Sequence, residues 1–411
     1  MSDSSLGVAR RATKRGFSTD QTLETTQVLV VGAGPVGLFA ALAASDAGLG
    51  VVVIDQVWRG FEQGHAALLH GRSLALMDEL GVGGQLRAAG HEIETIELAI
   101  DGRRQRLELP SPALAIAQRH VEQVLLTELA RRKIEVRAPY QAATIQQQQG
   151  CVDVRVMQRE LLTLGSPAHY SEWAAVQSSL LRADFVIGAD GYHSRVREAL
   201  GIEASDVGSS ESFAMFEFLG GDTGSTLDLG IQDGLASVRF PLAGGRTRAS
   251  FQVADRLDLD ADLERLRTLS AERSPRHTAL PSSLDFGSVM HFERRLARRF
   301  GRGRVWLAGD AAHVTSPLGN QSMNAGIQEA RALVARIGEA LDSNQSQEPL
   351  RQYGVQRERE WHKLLGVNVR FELLPHAAPW LATHARRLLP LLPASGRDLT
   401  LLLESVGLKL S

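Results

Sequence analysis

The sequence predicts an α/β protein in which a Rossmann-like sheet is interrupted by an antiparallel sheet and followed by a helical tail. Three short apolar segments each run into a glycine-containing turn and then into a helix-forming stretch. Between 204 and 285, short strand-like segments are separated by glycines, as in antiparallel sheets. From 346 onward, apolar stripes rich in leucine predict helices.

Composition places the chain among folded proteins with more than one core. It has 411 residues, of which 44% are hydrophobic and 22% charged. The 45 Lys and Arg residues nearly balance the 47 Asp and Glu residues, so no net field attracts nucleic acid or an anionic membrane. No apolar run approaches the roughly 20 residues that span a bilayer. Cys151 is the only cysteine, which excludes an internal disulfide and predicts a cytoplasmic location.

The N-terminal segment has a different composition from the rest. Residues 1–26 are polar and rich in Ser and Thr, with clustered basic residues and no apolar core. We expect a flexible leader rather than a secretory signal, with an organelle transit peptide as the alternative.

The first motif is a βαβ unit. The apolar stretch at 28–31 predicts a buried strand, the run at 35–47 an apolar helix, and 51–54 a second buried strand. The turn between the first strand and the helix reads GAGPVG from 32 to 37. Asp55 follows the second strand directly.

This glycine turn predicts dinucleotide binding. Gly32 permits the tight turn, Gly34 lets a pyrophosphate approach the backbone, and Gly37 allows close packing of helix on strand. The helix that begins at Pro35 and Val36 directs its N-terminus at the phosphates. Glycines that merely close a turn are the alternative. The motif alone does not separate FAD from NAD(P).

Two later strands end in the same manner. The strand after Leu181 runs into Asp190 and Gly191, and the strand at 305–308 runs into Gly309 and Asp310. Ligands of open α/β sheets lie at the carboxyl ends of such strands.

The ordered set of GxGxxG, a DG segment and GDAAHxxxPxxG resembles the single-component FAD-dependent aromatic hydroxylases of the para-hydroxybenzoate hydroxylase type. These motifs bracket 28–330. The resemblance implies FAD as cofactor, NADPH or NADH as reductant and O2 as co-substrate. It implies hydroxylation or epoxidation of an aromatic or polyaromatic small molecule through a flavin hydroperoxide, with no metal.

The resemblance also implies cofactor contacts. Asp55 would hold the adenosine ribose, Asp310 the ribityl or pyrophosphate region, and Asp190 would lie near the pyrophosphate. In a predicted helix, Gln118 would contact FAD, whereas Glu122 would be a helix-surface charge. The alternative for each aspartate is a strand-end cap or turn residue.

The segment 317–324 would lie beside the flavin ring. Its Pro317 carbonyl would face a phenolic substrate, which makes Pro317 both a catalytic and a cofactor-binding candidate. The other cofactor-binding candidates of this segment are Gly319, Asn320, Gln321, Ser322, Met323 and Asn324. Asn320 and Ser322 replace family glycines, and because serine tolerates left-handed dihedral angles poorly, we expect an altered turn.

A second departure from the family concerns a candidate base. His65 stands where an arginine is frequent and is the second catalytic candidate. His291 and Arg239 are weaker candidates for deprotonating the substrate.

The remaining chain completes the predicted organisation. The segments 211–218, 235–240 and 248–253 predict strands of an antiparallel substrate sheet, and the tail predicts a helix over 348–374. We expect the leucine stripes after it to pack on a core or on a subunit interface, which would allow a homodimer, with contact to a membrane surface as the alternative. The expected parts are the leader (1–26), the FAD-binding domain (27–92, 113–203 and 286–345), the substrate-binding domain (93–112 and 204–285) and the C-terminal helical region (346–411).

Two other functions remain open at this stage. One is a flavin-dependent reductase or oxidase on the same fold. The other is a degenerate flavin-binding protein without catalysis, prompted by Asn320, Ser322 and His65. A halogenase is disfavoured because no W-x-W-x-I-P signature occurs. A serine hydrolase is excluded because no G-x-S-x-G elbow follows a strand.

Overall fold

The computed structural model describes residues 18–57, 66–164, 170–221, 224–254, 261–273, 281–343, 346–367 and 369–410. Within these ranges, the strands β1 to β21 in chain order are Ser18–Val31, Val51–Ile54, Ala66–Leu69, His91–Ile100, Arg103–Ala117, Val136–Arg137, Tyr140–Gln147, Val152–Leu164, Tyr170–Gly188, Ala204–Asp206, Glu211–Leu219, Thr226–Gln232, Leu235–Leu242, Arg246–Val253, Phe286–Phe292, Arg295–Ala297, Gly301–Arg302, Val305–Leu307, His313–Val314, Phe371–Leu373 and Leu408–Leu410.

The helices of the same ranges, α1 to α11 in chain order, are Pro35–Asp46, Gly71–Glu79, Gly83–Ala89, Gln118–Arg131, Arg195–Ala199, Leu263–Arg273, Gln321–Asp342, Glu348–Leu364, Pro379–Ala382, Ala385–Leu388 and Arg397–Ser405. Short 3-10 turns occur at Gly309–Ala311 and Leu389–Leu391.

The first sheet has parallel strands at its centre. Among the described residues its path runs β17-β18-β9-β1-β2-β6, and β8 and β7 extend it antiparallel from β9. The pairs β18·β9, β9·β1, β1·β2 and β2·β6 are parallel. Helix α1 is buried along nearly its whole length and packs against α4 and α7, because it is apolar on every side.

The predicted βαβ unit is confirmed, with one difference at its start. The second strand has the predicted bounds and α1 ends one residue early, at Asp46. Strand β1, however, begins at Ser18 and pairs with β9 from Ser18↔Gln177 to Val31↔Gly188. Residues 18–26 of the predicted flexible leader are therefore strand, and the rest of the leader lies outside the described residues. An ion pair of 2.6 Å between Glu24 and Arg137 holds this extension.

The second sheet is mixed rather than purely antiparallel. Its described strands follow the order β15-β11-β14-β13-β12-β4-β5-β3. All of these pairs are antiparallel except β12 and β4, which run parallel from Thr226↔Thr95 to Ile231↔Ile100. No hairpin joins β4 to β12, so the connecting chain does not impose an antiparallel direction.

The division into domains stays a prediction, but some strands cross its boundaries. Strands β3 and β15 pair in the second sheet, although the predicted boundaries put them in the FAD-binding part. Strand β5 continues in this sheet to Ala117, beyond the predicted boundary at 112.

Alternation of side chains gives the second sheet two buried faces. One face packs against the C-terminal tail, and its central residues are Phe213, Met215, Val238, Phe240 and Leu242. The other face is covered by α6, and its central residues are Ala214, Phe216, Phe218, Ala249 and Phe251.

The tail departs from the predicted long helix. Helix α8 ends at Leu364 because Gly366 adopts a φ of 70°, and the amide of Val367 donates to the carbonyl of His362 at 2.8 Å. Strands β20 and β21 then form an antiparallel pair. Most of the leucines between them lie in the core of the same chain, whereas Leu401 is exposed. Among the helices of the described ranges, none combines the length and apolar content needed to cross a bilayer.

Two helical glycines provide a matched test of how closely α1 packs against the turn that begins at Gly32. A Cβ on Gly37 would lie 1.9 Å from the carbonyl oxygen of Gly32, whereas a Cβ on Gly338 in α7 would meet nothing within 4 Å. We expect Gly37→Ala to lower the free energy of unfolding by about 1–3 kcal/mol through overpacking. Gly338→Ala should raise it by about 0.5–1 kcal/mol. Urea unfolding followed by circular dichroism measures both, and equal effects would contradict this account.

Candidate active site

The carboxyl ends of β1, β9 and β18 meet at one edge of the first sheet. Val31 and Leu307 are both paired with Gly188, so the segments after these strands are neighbours. Gly32 has a φ of 109°, and a Cβ there would lie 2.2 Å from the carbonyl oxygen of Ala189. Only glycine allows this approach, so the glycine turn and the DG segment come into contact.

Asp55 lies where the sequence predicts it, at the end of β2. Its side chain is buried and accepts from the amide of Ala33 at 2.6 Å and from that of Val57 at 2.8 Å. The carboxylate therefore connects the end of β2 to the glycine turn.

Asp190 caps a helix. Its carboxylate accepts from the hydroxyl of Ser194 at 2.5 Å and from the amides of Arg195 and Val196 at 2.7 and 3.1 Å. Burial raises the pKa of Asp190, and these hydrogen bonds oppose the rise. These hydrogen bonds are those expected if Asp190 is a cap after a strand, which was the alternative to a cofactor contact. Asp310, in contrast, is exposed in the 3-10 turn that follows β18.

This edge has the donors and acceptors that a dinucleotide needs. Helix α1 begins after Gly34, which has no side chain to cap the first helical amides. Uncapped amides at a helix N-terminus bind phosphates, and carboxylates such as Asp55 and Asp310 bind ribose or ribityl hydroxyls. The residues present therefore fit FAD.

The segment after β19 forms the second part of the site. We call residues 315–320 the Pro317 loop. Asn320 ends it with a φ of 51°, in the left-handed region that asparagine tolerates. Ser322 lies inside α7, where no left-handed angle is required, and its hydroxyl accepts from the amide of Thr315 at 3.1 Å. The expectation that Ser322 disturbs the turn through its dihedral angles is therefore wrong.

Gly319 is required by the approach of the tail. A Cβ on Gly319 would lie 2.2 Å from the carbonyl oxygen of Pro390. The carbonyl of Gly319 accepts from Nε2 of His70 at 2.8 Å. His70 is fully buried, and burial lowers its pKa to about 4, so the ring is neutral at pH 7. No local pattern in the sequence marks His70, which stands at the N-cap of α2.

The side chains of two cofactor-binding candidates, Asn324 and Gln321, hold the Pro317 loop in place. The side chain of Asn324 accepts from the amide of His70 at 2.8 Å and donates to the carbonyl of Leu68 at 2.7 Å. Gln321 donates to the carbonyl of Leu392 in the tail at 2.6 Å. Both ends of the Asn324 side chain are therefore bonded, so a contact of Asn324 with a cofactor would come through its backbone.

A buried carboxylate beneath the site was also missed. Glu329 of α7 has no exposed surface and accepts from the amide of Gly309 at 3.0 Å, from Nε2 of His313 at 2.7 Å and from Nε1 of Trp361 at 2.6 Å. The rings of His313 and Trp361 stack at 3.7 Å. Burial raises the pKa of Glu329, but the His313 charge and the three donors outweigh it and lower the pKa overall. The sequence did contain a signal for this residue, because Glu329 lies on the apolar stripe of the helix predicted after Asp310, where a charged residue is unusual.

A cavity of about 230 Å³ separates the Pro317 loop from the second sheet. Pro317 and Met323 line it, and their roles toward substrate and cofactor stay predictions. Its sheet wall is mainly apolar and consists of Met215, Val238, Phe240, Met290 and Phe292. The side chains of Thr315 and Ser316 are buried at its edge, and within the described structure their hydroxyls have no hydrogen-bond partner. A bound ligand would supply such partners.

Gln118 also reaches the cavity. It stands at the start of α4 and donates to Oε1 of Glu122 at 2.9 Å. Glu122 is only 9% exposed, so its prediction as a helix-surface charge is wrong. The hydrogen bond from Gln118 explains how this carboxylate is tolerated below the surface.

Of the proposed bases, the two that the structure describes do not line the cavity. His65 lies outside the described residues. His291 is exposed and bonds Ser212 at 3.2 Å. Arg239 lies on the opposite face of the sheet, 5.5 Å from the ring of Phe218.

A different arginine lines the cavity. Arg248 is buried, and its guanidinium donates to Glu217 at 2.5 Å and to the sulfur of Met215 at 3.1 Å. Burial lowers the pKa of Arg248, and the Glu217 charge opposes this. Alternation along β14 places Arg248 on the same face as Ser250, a signal that the sequence contained.

Comparisons with known proteins agree with this geometry. A family model described as FAD binding domain matches residues 25–365. A flavin-dependent monooxygenase of Mycobacteroides abscessus is 28% identical over 329 residues, which cover 74% of this chain and 65% of the relative. The 6-hydroxy-3-succinoylpyridine 3-monooxygenase HspB of Pseudomonas putida is 27% identical, with 82% and 86% covered. The 6-methylpretetramide 4-monooxygenase of Streptomyces rimosus is 27% identical, and the match covers 80% of this chain and 59% of the relative. The chain thus spans less than two thirds of the first and third relatives.

Solved structures confirm the predicted fold. The p-nitrophenol 4-monooxygenase PnpA from Pseudomonas putida DLL-E4 superposes with a TM-score of 0.69 at 22% identity, covering 93% of this chain and 97% of that chain. The substrate-free rebeccamycin biosynthetic enzyme RebC gives a TM-score of 0.66 at 23% identity, with 90% and 74% covered.

The carboxylate of Glu329 can be tested against an exposed carboxylate of the same helix. We expect Glu329→Gln to lower the free energy of unfolding by about 3 kcal/mol, because an amide cannot accept from three donors as a carboxylate does. Glu339→Gln, which removes an exposed pair with Arg336, should change it by less than about 0.5 kcal/mol. Urea unfolding measures both, and equal losses would refute the central role of Glu329.

His70 predicts a pH dependence of stability. Its pKa is about 4 when folded and near 6.5 when unfolded, so the unfolded chain binds more protons between these values. Stability is therefore lost as pH falls below 6.5, by about 2 kcal/mol at pH 5. His70→Gln should lose less stability than wild type between pH 7.5 and pH 5. His376→Gln, at an exposed histidine that also bonds a backbone carbonyl, should behave as wild type. Urea unfolding at both pH values measures the free energy of unfolding. If it changes equally between pH 7.5 and pH 5 in all three proteins, His70 is not the source of the pH dependence.

Proposed function

The chain belongs to the family of proteins with this FAD binding domain, and on that premise we propose that it is an FAD-dependent monooxygenase. It would use NADPH or NADH and O2 to hydroxylate a small aromatic molecule. The observation that carries the proposal is the apolar cavity of about 230 Å³ between the second sheet and the Pro317 loop. The names of the relatives support it, since each of the three is a monooxygenase.

The cofactor would be held at the edge of the first sheet. The turn from Gly32 to Gly37 and the N-terminus of α1 would bind the pyrophosphate, and Asp55 and Asp310 would bind the sugar hydroxyls. When bound, FAD supplies hydride acceptance from the nicotinamide and the activation of O2. The Pro317 loop would lie beside the flavin ring, as the family resemblance implies.

The remaining residues would bind the substrate and exclude water. Met215, Val238, Phe240, Met290 and Phe292 provide an apolar wall that excludes water from the reacting centre. The hydroxyls of Thr315 and Ser316 would orient a polar group of the substrate, since they lack other partners within the described structure.

The cavity would be shared by the flavin and the substrate. Gln118 and Asp310, which would contact FAD, line the same cavity of about 230 Å³ as the apolar sheet wall. The substrate would therefore lie between the flavin and this wall. Arg248 brings no net charge to this wall, because Glu217 pairs with it at 2.5 Å.

A cytoplasmic location belongs to the proposal as well, and it rests on the use of a single cysteine, Cys151. The leucine-rich tail does not argue for a homodimer, because most of its leucines lie in the core of their own chain.

The test starts from the visible absorption spectrum of the purified protein after incubation with FAD and desalting. We expect about one FAD per chain, and NADPH or NADH oxidation and O2 uptake that phenol or p-nitrophenol stimulates, with one oxygen added to the product. Val238→Phe, which fills the cavity, should abolish the stimulation and keep the FAD. Val289→Phe, on the opposite face of the sheet, is the control and should keep both. FAD-loaded protein that no aromatic compound stimulates would refute the monooxygenase proposal.

A further inference from the structure

A second and larger cavity lies on the outer side of α7. Its volume is about 890 Å³, and its walls come from α2, α7, α8 and the tail between Leu389 and Leu410. The two cavities lie on different sides of the first turn of α7, since Gln321 lines the large one and its neighbours Asn320 and Ser322 line the small one. The glycine turn, Asp55 and Asp310 do not line the large cavity, so it is distinct from the proposed FAD site.

The lining of the large cavity is apolar inside, and cations outnumber carboxylates at its rim. The carboxylates there are Glu360, which pairs with Arg357, and Asp398. Leu76, Leu364, Leu389 and Leu399 contribute apolar surface. At the rim, the three exposed cations have no ion pair within the described structure; they are Arg72, Lys363 and Arg397. An anion would therefore be attracted to the rim, while an apolar group would be favoured inside.

The deeper wall contains two polar groups without partners. Gln321 is fully buried, and its Nε2 donates to the carbonyls of Leu392 and Ala394 at 2.6 and 3.0 Å, which fixes the orientation of the amide. Its Oε1 has no hydrogen-bond partner within the described structure. Nε of Arg357 is likewise unpartnered, although the terminal nitrogens of that guanidinium bond Glu360 at 2.8 Å. Buried polar groups of this kind require an explanation, and a bound molecule provides one.

We propose that this cavity is a second binding site, for an amphipathic anion with an apolar or aromatic body and one acidic group such as a carboxylate or sulfonate. The apolar body would lie against the leucines, and the acidic group would meet Arg72, Lys363 and Arg397. The volume lies within the range of small-molecule sites. This inference does not depend on the proposed monooxygenase activity.

The site would also lie next to the buried carboxylate beneath the flavin region. Trp361 lines the large cavity and donates to Glu329 at 2.6 Å, and Glu329 accepts from the amide of Gly309 at 3.0 Å. A ligand in the cavity would therefore be separated from the end of β18 by these two side chains.

The test uses the full chain loaded with FAD and the fluorescent anion 8-anilinonaphthalene-1-sulfonate. We expect saturable binding that weakens with added salt. The double variant Lys363→Glu/Arg397→Glu should bind the probe at least tenfold more weakly. The matched control is Arg103→Glu/Arg104→Glu, which makes the same charge change at two exposed arginines outside the cavity and should bind as wild type.

Two further variants locate the probe. Ala332→Trp, which fills the large cavity, should abolish binding, whereas Val238→Phe in the small cavity should leave it unchanged. Circular dichroism and flavin content establish that each variant is folded. The charge variants lie on exposed positions, so they keep the test decisive if Ala332→Trp does not fold.

Three outcomes would overturn the proposal. One is equal binding by wild type and Lys363→Glu/Arg397→Glu, and another is an equal loss in the control double variant. The third is a probe affinity that falls as protein concentration rises, together with a dimer that Ala332→Trp dissociates. That result would assign the cavity to a second copy of the chain.

Discussion

The carboxylate of Glu329 is the constraint on which the geometry of the site depends. An ionised carboxylate without exposed surface is tolerated only when it is paired and hydrogen-bonded. Its partners come from three parts of the fold: Gly309 after β18, His313 in β19 and Trp361 in α8. Satisfying this one group therefore holds the end of a central strand, the strand before the Pro317 loop and the tail helix against α7.

Close backbone contacts at two glycines also hold segments of the site in place. At Gly32 the glycine turn touches the segment after β9, and at Gly319 the Pro317 loop touches the tail. His70 and Asn324 then tie the loop to the start of α2. The small cavity is bounded by this fixed loop on one side and by a sheet on the other, an arrangement that suits preorganised binding.

The first turn of α7 forms part of the wall of both proposed sites. Its residues alternate between the small cavity, reached by Ser322 and Met323, and the large cavity, reached by Gln321 and Ala325. A helix of 3.6 residues per turn necessarily presents neighbouring positions to different sides. The same short segment therefore separates an apolar cavity beside the proposed flavin position from a cavity with a basic rim.

The sequence by itself determined the βαβ unit, the ends of β9 and β18, and the resemblance that the family model bears out, because these are local patterns of apolar residues, glycines and acids. It also singled out the Pro317 loop, which lines the small cavity. Only the tertiary structure decided that β4 runs parallel to β12, that Glu122 is buried, that Ser322 is helical, and that Arg248 rather than Arg239 faces the cavity. The physical reason is that strand direction, burial and facing depend on contacts between residues far apart in the chain. His70 with Gly319, and Glu329 with Gly309, are contacts of that kind, and no local spacing records them.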